Sequence, residues 1–188
     1  MTFDFQAARL TMVESQVRTS DVTDLHVQDA MRVAPRESLC PPDKTLIAYA
    51  DAEIEYKPGL FLLRPRALGK LLQALKPQPG ERVLAIAAPY GALVMRQIGC
   101  AVDEIAADAS PAKGAYKVIV VEGAVNEVPA SWAAALAEGG RMAVILRDGP
   151  MGKARIFSKT AGQVASYEAF DAAASFLPGY EPKAQFAF

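Results

Sequence analysis

The chain has 188 residues, of which 52% are hydrophobic, with 20 basic and 21 acidic side chains and a formal net charge of -1. This length and apolar content predict one compact unit with a sizeable core, and the balanced charge argues against a nucleic-acid surface or an anionic-membrane surface. Two cysteines, Cys40 and Cys100, and one histidine, His26, are too few for the usual zinc site, so we expect no metal. No apolar run approaches membrane-spanning length, and we expect a cytoplasmic protein with reduced thiols.

Residues 1–60 are predicted to form an N-terminal helical cap and a connection. Apolar residues repeat at helical spacing between Phe5 and Arg18, and Thr23-Asp24 is typical of the N-cap and first turn of a second helix. That helix ends before Pro35, since the residue preceding a proline is disfavoured in a helix. From Pro41 to Gly59 we expect an irregular connection with a short extended piece at Leu46 to Ala48.

Residues 61–188 alternate segments typical of strands and helices, which predicts an α/β domain. Continuous apolar strands bounded by turn residues suit a parallel sheet that is covered on both faces. The predicted elements are a helix from Pro65 that is stopped by Pro77, a strand over Val83 to Ile86, a helix from Ala92 to Ile98, strands over Ala101 to Ala107 and Lys117 to Val121, a helix from Trp132 to Ala137 capped by Ser131, and a strand over Met142 to Leu146.

Two features modify this parallel sheet. Ala154 to Ser158 and Gln163 to Phe170 are joined by a short polar turn, which indicates an antiparallel edge pair at the C-terminal end. Only Ala109 to Tyr116 separates Asp108 from the next strand, and this segment is too short and too broken for a crossover helix. Either the two strands are not parallel neighbours or a unit has been lost between them.

The stretch from Arg82 to Ala92 is where a nucleotide-type cofactor would bind, because ligands of such sheets lie beyond the carboxyl ends of strands. A cofactor-binding turn needs glycines there, since the backbone must approach the ligand closely. The chain instead has Ala87, Ala88 and Pro89, and the proline removes one backbone N–H donor. Only Gly91 remains. Pro89 and Tyr90 are candidates to fill the crevice, with a role in forming the turn as the alternative.

Several motifs along nearly the whole chain resemble the protein-L-isoaspartate O-methyltransferase family, in particular its bacterial branch. The matching segments are Met12-Val13-Glu14-Ser15-Gln16-Val17-Arg18, Val22-Thr23-Asp24, Ala30-Met31, Pro35-Arg36-Glu37, Tyr49-Ala50-Asp51, Pro77-Gln78-Pro79-Gly80-Glu81-Arg82-Val83-Leu84, Tyr116-Lys117-Val118-Ile119-Val120-Val121-Glu122-Gly123-Ala124, Val128-Pro129 and Leu136-Ala137-Glu138-Gly139-Gly140-Arg141-Met142.

This resemblance implies a doubly wound, mostly parallel, Rossmann-like methyltransferase sheet with an antiparallel C-terminal edge and an N-terminal helical cap. It further implies S-adenosylmethionine as cofactor and methyl transfer to isoaspartyl carboxylates in proteins. The family's glycine-rich cofactor loop corresponds to Ala87, Ala88, Pro89, Tyr90 and Gly91, and its ribose-binding acid corresponds to Asp108, for which a solvated acid at the strand end is the alternative.

Three departures from the family pattern indicate a loss of catalytic activity. The cofactor loop has lost its glycines, the strand–helix unit expected after Asp108 is missing, and Arg64 stands before Pro65 where the family has a substrate-side serine. Because fold does not carry activity with it, we interpret the chain as a degenerate, non-catalytic member with vestigial site residues and no cofactor. An active S-adenosylmethionine-dependent methyltransferase is the alternative.

A non-catalytic protein of this kind is expected to act through a protein partner or as a homo-oligomer. The sequence favours the surface flanking Ala101 to Tyr116, because loss of an outer unit turns its strand into an edge with unpaired backbone groups. Arg36 and Arg64 are further candidates for contact with an acidic peptide or a carboxylate, with an ordinary surface role as the alternative.

Overall fold

A six-stranded sheet and the helices that cover it organise the chain, of which the computed structural model describes residues 3–182. The helices are α1 (Phe5–Met12), which continues through a π-helical turn (Val13–Val17) and a 3-10 turn (Arg18–Ser20), α2 (Leu25–Val33), α3 (Pro65–Leu75), α4 (Pro89–Ile98) and α5 (Ala130–Ala135), with 3-10 turns at Arg36–Leu39 and Thr45–Ile47. The strands are β1 (Ile54–Lys57), β2 (Leu60–Leu62), β3 (Arg82–Ile86), β4 (Ala101–Ile105), β5 (Tyr116–Val125), β6 (Leu136–Arg147), β7 (Gly152–Thr160) and β8 (Gln163–Ala172).

The strand order in the sheet is β4-β3-β5-β6-β7-β8. The first four strands run parallel, whereas β7 pairs antiparallel with β6 and β8 pairs antiparallel with β7. β1 and β2 form a separate antiparallel pair. The predicted α/β class with a mostly parallel sheet and an antiparallel C-terminal edge is therefore confirmed.

The strands before and after Asp108 are not neighbours, because β4 and β5 pair with opposite sides of β3. Residues 106–115 make this connection without a helix or a strand. Their path is fixed by hydrogen bonds: the Tyr180 hydroxyl donates to the Ala107 carbonyl at 2.6 Å, and the Gly114 N–H donates to the Ala134 carbonyl at 2.8 Å. Within residues 3–182, β4 is therefore one edge of the sheet and β8 is the other.

The N-terminal segment packs against one face of the sheet through α3 and α4. The leucine stripe of α3, formed by Leu68, Leu71, Leu72 and Leu75, is fully buried there. Asp24 caps α2 as predicted, with its side chain accepting from the His26 N–H at 2.9 Å, and the Gln73 side chain of α3 accepts from the backbone N–H of Thr23 and of Asp24. The N-terminal helical cap thus places the 3-10 turn Arg36–Leu39 close to α4. This brings the charged side chain of Arg36 into the core beside the sheet.

Several predicted elements differ from the structure. Leu46 to Ala48 is not extended, because the Ala48 N–H bonds back to the Thr45 carbonyl in a 3-10 turn. The helix predicted from Trp132 begins at Ala130 after Pro129 and ends at Ala135, since Leu136 is buried and pairs with β5. The helix predicted from Ala92 begins at Pro89, whose fixed φ suits the first helical position. No helix among the described residues is long and apolar enough to cross a membrane.

Candidate functional site

The candidate site lies between β3 and β5, where the order of the strands reverses. β4 pairs with β3 on one side, and β5 continues the sheet on the other. Ligands of doubly wound sheets bind at such a point, in the crevice outside the carboxyl ends of the strands. Ile86 and Val121 form the last pair between β3 and β5, so the two strands separate directly after these positions and a crevice begins there.

The turn after β3 keeps an unusual backbone conformation although it has lost its glycines. Ala87 has a φ of 46°, in the left-handed region that favours glycine. Its N–H already donates to the carbonyl of Ile105 at 2.9 Å, and Pro89, the first residue of α4, has no N–H. Neither Ala87 nor Pro89 therefore offers a free backbone donor to a ligand at this turn.

Glu122, the residue after Val121 in β5, fills the crevice from within. Its side chain is fully buried, with one carboxylate oxygen accepting from the Gly91 N–H at 2.5 Å and the other from the Leu63 N–H at 3.1 Å. Gly91 lies in the first turn of α4, where N–H groups have no intrahelical acceptor. A protein carboxylate thus occupies the donors that the start of α4 would otherwise present to a bound anion.

The charge of Glu122 is set by opposing effects. Burial raises the pKa of the carboxyl group to about 7, and the Gly91 N–H and the Arg36 charge limit that rise. Arg36 is itself fully buried: its Nε donates to the Ala48 carbonyl at 2.8 Å, and Nη1 and Nη2 have no hydrogen-bond partner among the described residues. Burial lowers the pKa of Arg36. Because no part of its side chain is exposed, the interpretation of Arg36 as a surface or peptide-binding group is wrong.

Tyr90 packs into the core rather than into the crevice. It is fully buried, and its ring lies under the Arg36 guanidinium with 4.8 Å between the Cζ atom and the ring centroid. Burial raises the pKa of its hydroxyl, which has no partner among the described residues. The prediction that Tyr90 plugs the crevice is therefore wrong, because Tyr90 lies beneath Arg36 in the core. Glu122 lies at the start of α4 instead.

A cleft of about 290 Å³ remains beyond the carboxyl ends of β3 and β4. Its lining includes Ala87, Ala88 and Pro89 of the turn, and Tyr56 and Glu104 from neighbouring strands. The volume lies at the lower end of the range for ligand pockets, roughly 300–1,000 Å³. Glu104 is already paired with Arg96 at 2.6 Å. The residues present therefore do not fit a cofactor that must be held by backbone donors at this turn.

Asp108 and Arg64, the other two predicted site residues, lie outside this cleft. Asp108 is exposed, and it is not among the residues that line the cleft, of which Ala107 is the last in the chain. Arg64 precedes α3 and lines a different cleft of about 370 Å³, together with Arg66 and Lys70. The structure therefore brings Ala87, Ala88 and Pro89 together at the cleft, leaves Gly91 bonded to a carboxylate, and places Asp108 and Arg64 elsewhere.

Glu122 was not singled out by the sequence analysis, although the sequence contains a signal for it. Val118, Ile119, Val120 and Val121 form an uninterrupted apolar strand, and an acidic residue comes directly after its carboxyl end. A carboxylate at the end of a buried parallel strand is a candidate ligand-site residue by position alone. The sequence does not show that Gly91 and Leu63, far away along the chain, supply its donors.

Comparison with known proteins identifies relatives of one kind. A protein-L-isoaspartate O-methyltransferase of Methylorubrum populi is 27% identical over 92% of this chain and 94% of its own length, and one of Rhodopseudomonas palustris (strain HaA2) is 32% identical over 73% and 69%. The Aeropyrum pernix protein of that name is 39% identical, but the match spans 46% of this chain and 34% of that protein. No protein-family model matches the chain.

A solved structure shares the fold. A Plasmodium falciparum protein assigned as a protein-L-isoaspartate O-methyltransferase, in complex with S-adenosyl-L-homocysteine, superimposes with a TM-score of 0.75. The match covers 90% of this chain and 97% of that chain at 15% sequence identity. At this identity the likeness concerns the fold, and it agrees with the fold class given by the strand order.

The left-handed conformation of Ala87 gives a stability prediction. We expect Ala87→Gly to leave the free energy of unfolding unchanged or to raise it by up to about 1 kcal/mol, because glycine relieves the left-handed strain of alanine. Ala88→Gly is the matched control: Ala88 has a φ of -123°, outside the left-handed region, so glycine there relieves no such strain and removes a buried methyl group. Urea unfolding measures both, and an equal loss in the two variants would contradict the assigned backbone.

The raised pKa of Glu122 gives a pH prediction. The native state binds a proton at Glu122 more tightly than the unfolded chain does, so the stabilising contribution is full below about pH 4.5 and is lost as the pH rises to about 7. In Glu122→Gln this loss should disappear, so the variant gains stability relative to the wild type between pH 5 and pH 8, on the order of 3 kcal/mol. Glu104→Gln, at an exposed ion pair, is the control. Parallel pH curves for the wild type and Glu122→Gln would refute the assignment.

Proposed function

The chain belongs to the protein-L-isoaspartate O-methyltransferase family, and we propose that it is a non-catalytic member that holds no S-adenosylmethionine and acts by associating with protein. A single observation carries this proposal. The Glu122 carboxylate accepts hydrogen bonds from the Gly91 and Leu63 N–H groups at the point where the sheet would bind a ligand. The carboxylate of the chain itself thus occupies donors at the start of α4, beside the cleft of about 290 Å³ that remains beyond β3 and β4.

The chemistry of methyl transfer supports the proposal, because the reaction depends chiefly on holding two reactants in line at close range. A ligand at the start of α4 must first displace the Glu122 carboxylate. The buried carboxylate then loses its two hydrogen bonds, and each loss costs about 1.5–3 kcal/mol because the acceptor is charged. Two of the three turn residues offer no compensation, since the Ala87 N–H is bonded to Ile105 and Pro89 has none. Weak cofactor anchoring removes the main contribution to the rate.

Association is proposed to use an edge of the sheet, and the two edges differ in character. Both edges carry ion-paired acidic residues: Asp103 and Glu104 of β4 pair with Arg82 and Arg96, and Glu168 and Asp171 of β8 pair with Lys153. The edges differ in length and exposure, since β4 has only five residues. β8 has ten residues and is exposed over most of its length, with Tyr167 56% exposed. We therefore favour β8 over the surface flanking Ala101 to Tyr116, for a homo-oligomer or for another protein.

An active S-adenosylmethionine-dependent methyltransferase is the second candidate. The cleft of about 290 Å³ beside Pro89 and Glu104 favours it, because this cleft lies beyond the carboxyl ends of β3 and β4. The relatives bear the name of that enzyme, and the Plasmodium falciparum protein contains S-adenosyl-L-homocysteine. Under this alternative, isoaspartyl carboxylates in proteins are the substrate class.

A titration separates the two candidates. We expect calorimetry with S-adenosylmethionine and with S-adenosyl-L-homocysteine to give no binding isotherm, because Glu122 occupies the start of α4. The Plasmodium falciparum protein is the positive control, since its structure holds the second compound. We also expect no transfer of a labelled methyl group to isoaspartyl peptides. A micromolar dissociation constant, or turnover above background, would favour the enzyme.

Paired surface variants test the association. Tyr167→Lys places a charge on the exposed β8 edge, and Ala106→Lys places the same charge beside β4. We expect light scattering at micromolar concentration, or capture of a partner from the native cell, to show weaker association for Tyr167→Lys and none of this loss for Ala106→Lys. If Ala106→Lys weakens association and Tyr167→Lys does not, the interface lies on the surface flanking Ala101 to Tyr116. A wild-type monomer without a partner would contradict association altogether.

A further inference from the structure

The groups around the Glu122 carboxylate form a receptor that is built from several separate parts of the chain. Gly91 belongs to α4, and Leu63 lies just after β2 and before α3, yet their N–H groups point at the two oxygens of one carboxylate. Both donors are backbone groups, so their positions are fixed by the fold and not by Glu122. A matched pair of fixed donors is suited to any carboxylate of the right reach.

Two positively charged features near the carboxylate offset part of the cost that burial places on an anion here. α4 has ten residues, so its N-terminus carries a partial positive charge beside the carboxylate. The charge of the buried Arg36 guanidinium favours the ionised carboxylate, and its Nη1 and Nη2 atoms have no hydrogen-bond partner among residues 3–182. Burial strengthens both effects, because little solvent screens them. A buried guanidinium with two unpartnered nitrogens and the N-terminus of α4 both indicate a site for negative charge.

We propose that this receptor is a carboxylate-binding site which Glu122 fills as an internal ligand, and which binds small free carboxylates once the Glu122 side chain is shortened. The site is in the crevice on which the proposed function rests, but the inference needs neither catalysis nor a partner protein. It assigns a ligand class to the Leu63 and Gly91 N–H groups. Glu122 then supplies that ligand at an effective concentration that no free carboxylate can match.

The size of the missing group makes the proposal specific. Glu122→Ala keeps the β-carbon and removes a CH₂–COO⁻ group, which acetate replaces. Glu122→Gly also removes the β-carbon, so the missing group has the size of propionate. A general salt effect would not depend on the length of the deleted side chain. The order of preference among formate, acetate and propionate therefore reports the shape of the vacated space.

The experiment measures thermal unfolding of both variants at neutral pH in sodium formate, acetate, propionate or chloride at equal ionic strength, with calorimetric titration of the same anions. We expect a rise in Tm of several degrees for Glu122→Ala, largest in acetate, and for Glu122→Gly, largest in propionate, because an anion that binds only the native state stabilises it. The wild type should respond equally to all four anions. Glu104→Ala, which lacks an exposed and paired carboxylate, should behave like the wild type.

The outcomes separate cleanly even for poorly folded variants. A variant that is unfolded in chloride and folds in its matched carboxylate supports the site as strongly as a shift in Tm does. Equal responses to carboxylates and chloride, or the same carboxylate response in the wild type, would overturn it. So would a Glu122→Ala protein that stays unfolded in every anion. These measurements contain no S-adenosylmethionine, so a negative result would refute the carboxylate site without refuting the proposed function. The cofactor titration of the wild type tests the proposed function separately.

Discussion

Burying a carboxylate costs several kcal/mol unless other groups compensate, and this chain buries one at the point where its sheet divides. Glu122 is compensated by the Gly91 and Leu63 N–H groups and by the charge of Arg36. These contacts join β5 to the start of α4, to the segment before α3 and to the N-terminal cap. The same contacts occupy the Gly91 N–H at the start of α4, next to the cleft beyond β3 and β4.

The family fold and the closed crevice are compatible because they depend on different residues. The fold depends on the apolar strands and on the leucine stripe of α3, which are buried as in any doubly wound sheet. Cofactor binding depends on a few backbone donors at the turn after β3, where Ala87 is already bonded and Pro89 has no N–H. A chain can therefore keep the architecture of a methyltransferase while it fills the site, and function must be argued from the site.

The sequence predicted the parallel strands, α2, α3 and the β7–β8 pair, because each has a strong local pattern or a proline or cap that fixes its start. It also predicted a candidate site at Ala87 to Gly91 from the turn alone, and this stays a prediction. It did not predict Glu122 as the group that fills the crevice, since the donors Leu63 and Gly91 are 59 and 31 residues away in the chain. Nor did it predict that Arg36 is buried, because only the packing of the cap against α4 removes that side chain from water.

The most direct test of the closed crevice is the backbone amide resonance of Gly91, measured by NMR as the pH changes. Because its N–H donates to the Glu122 carboxylate, we expect the amide shift to titrate with a midpoint near pH 7, together with that of Leu63, and not to move when S-adenosyl-L-homocysteine is added. A Gly91 amide that is insensitive to pH, or that shifts saturably with the added compound, would contradict a crevice closed by Glu122.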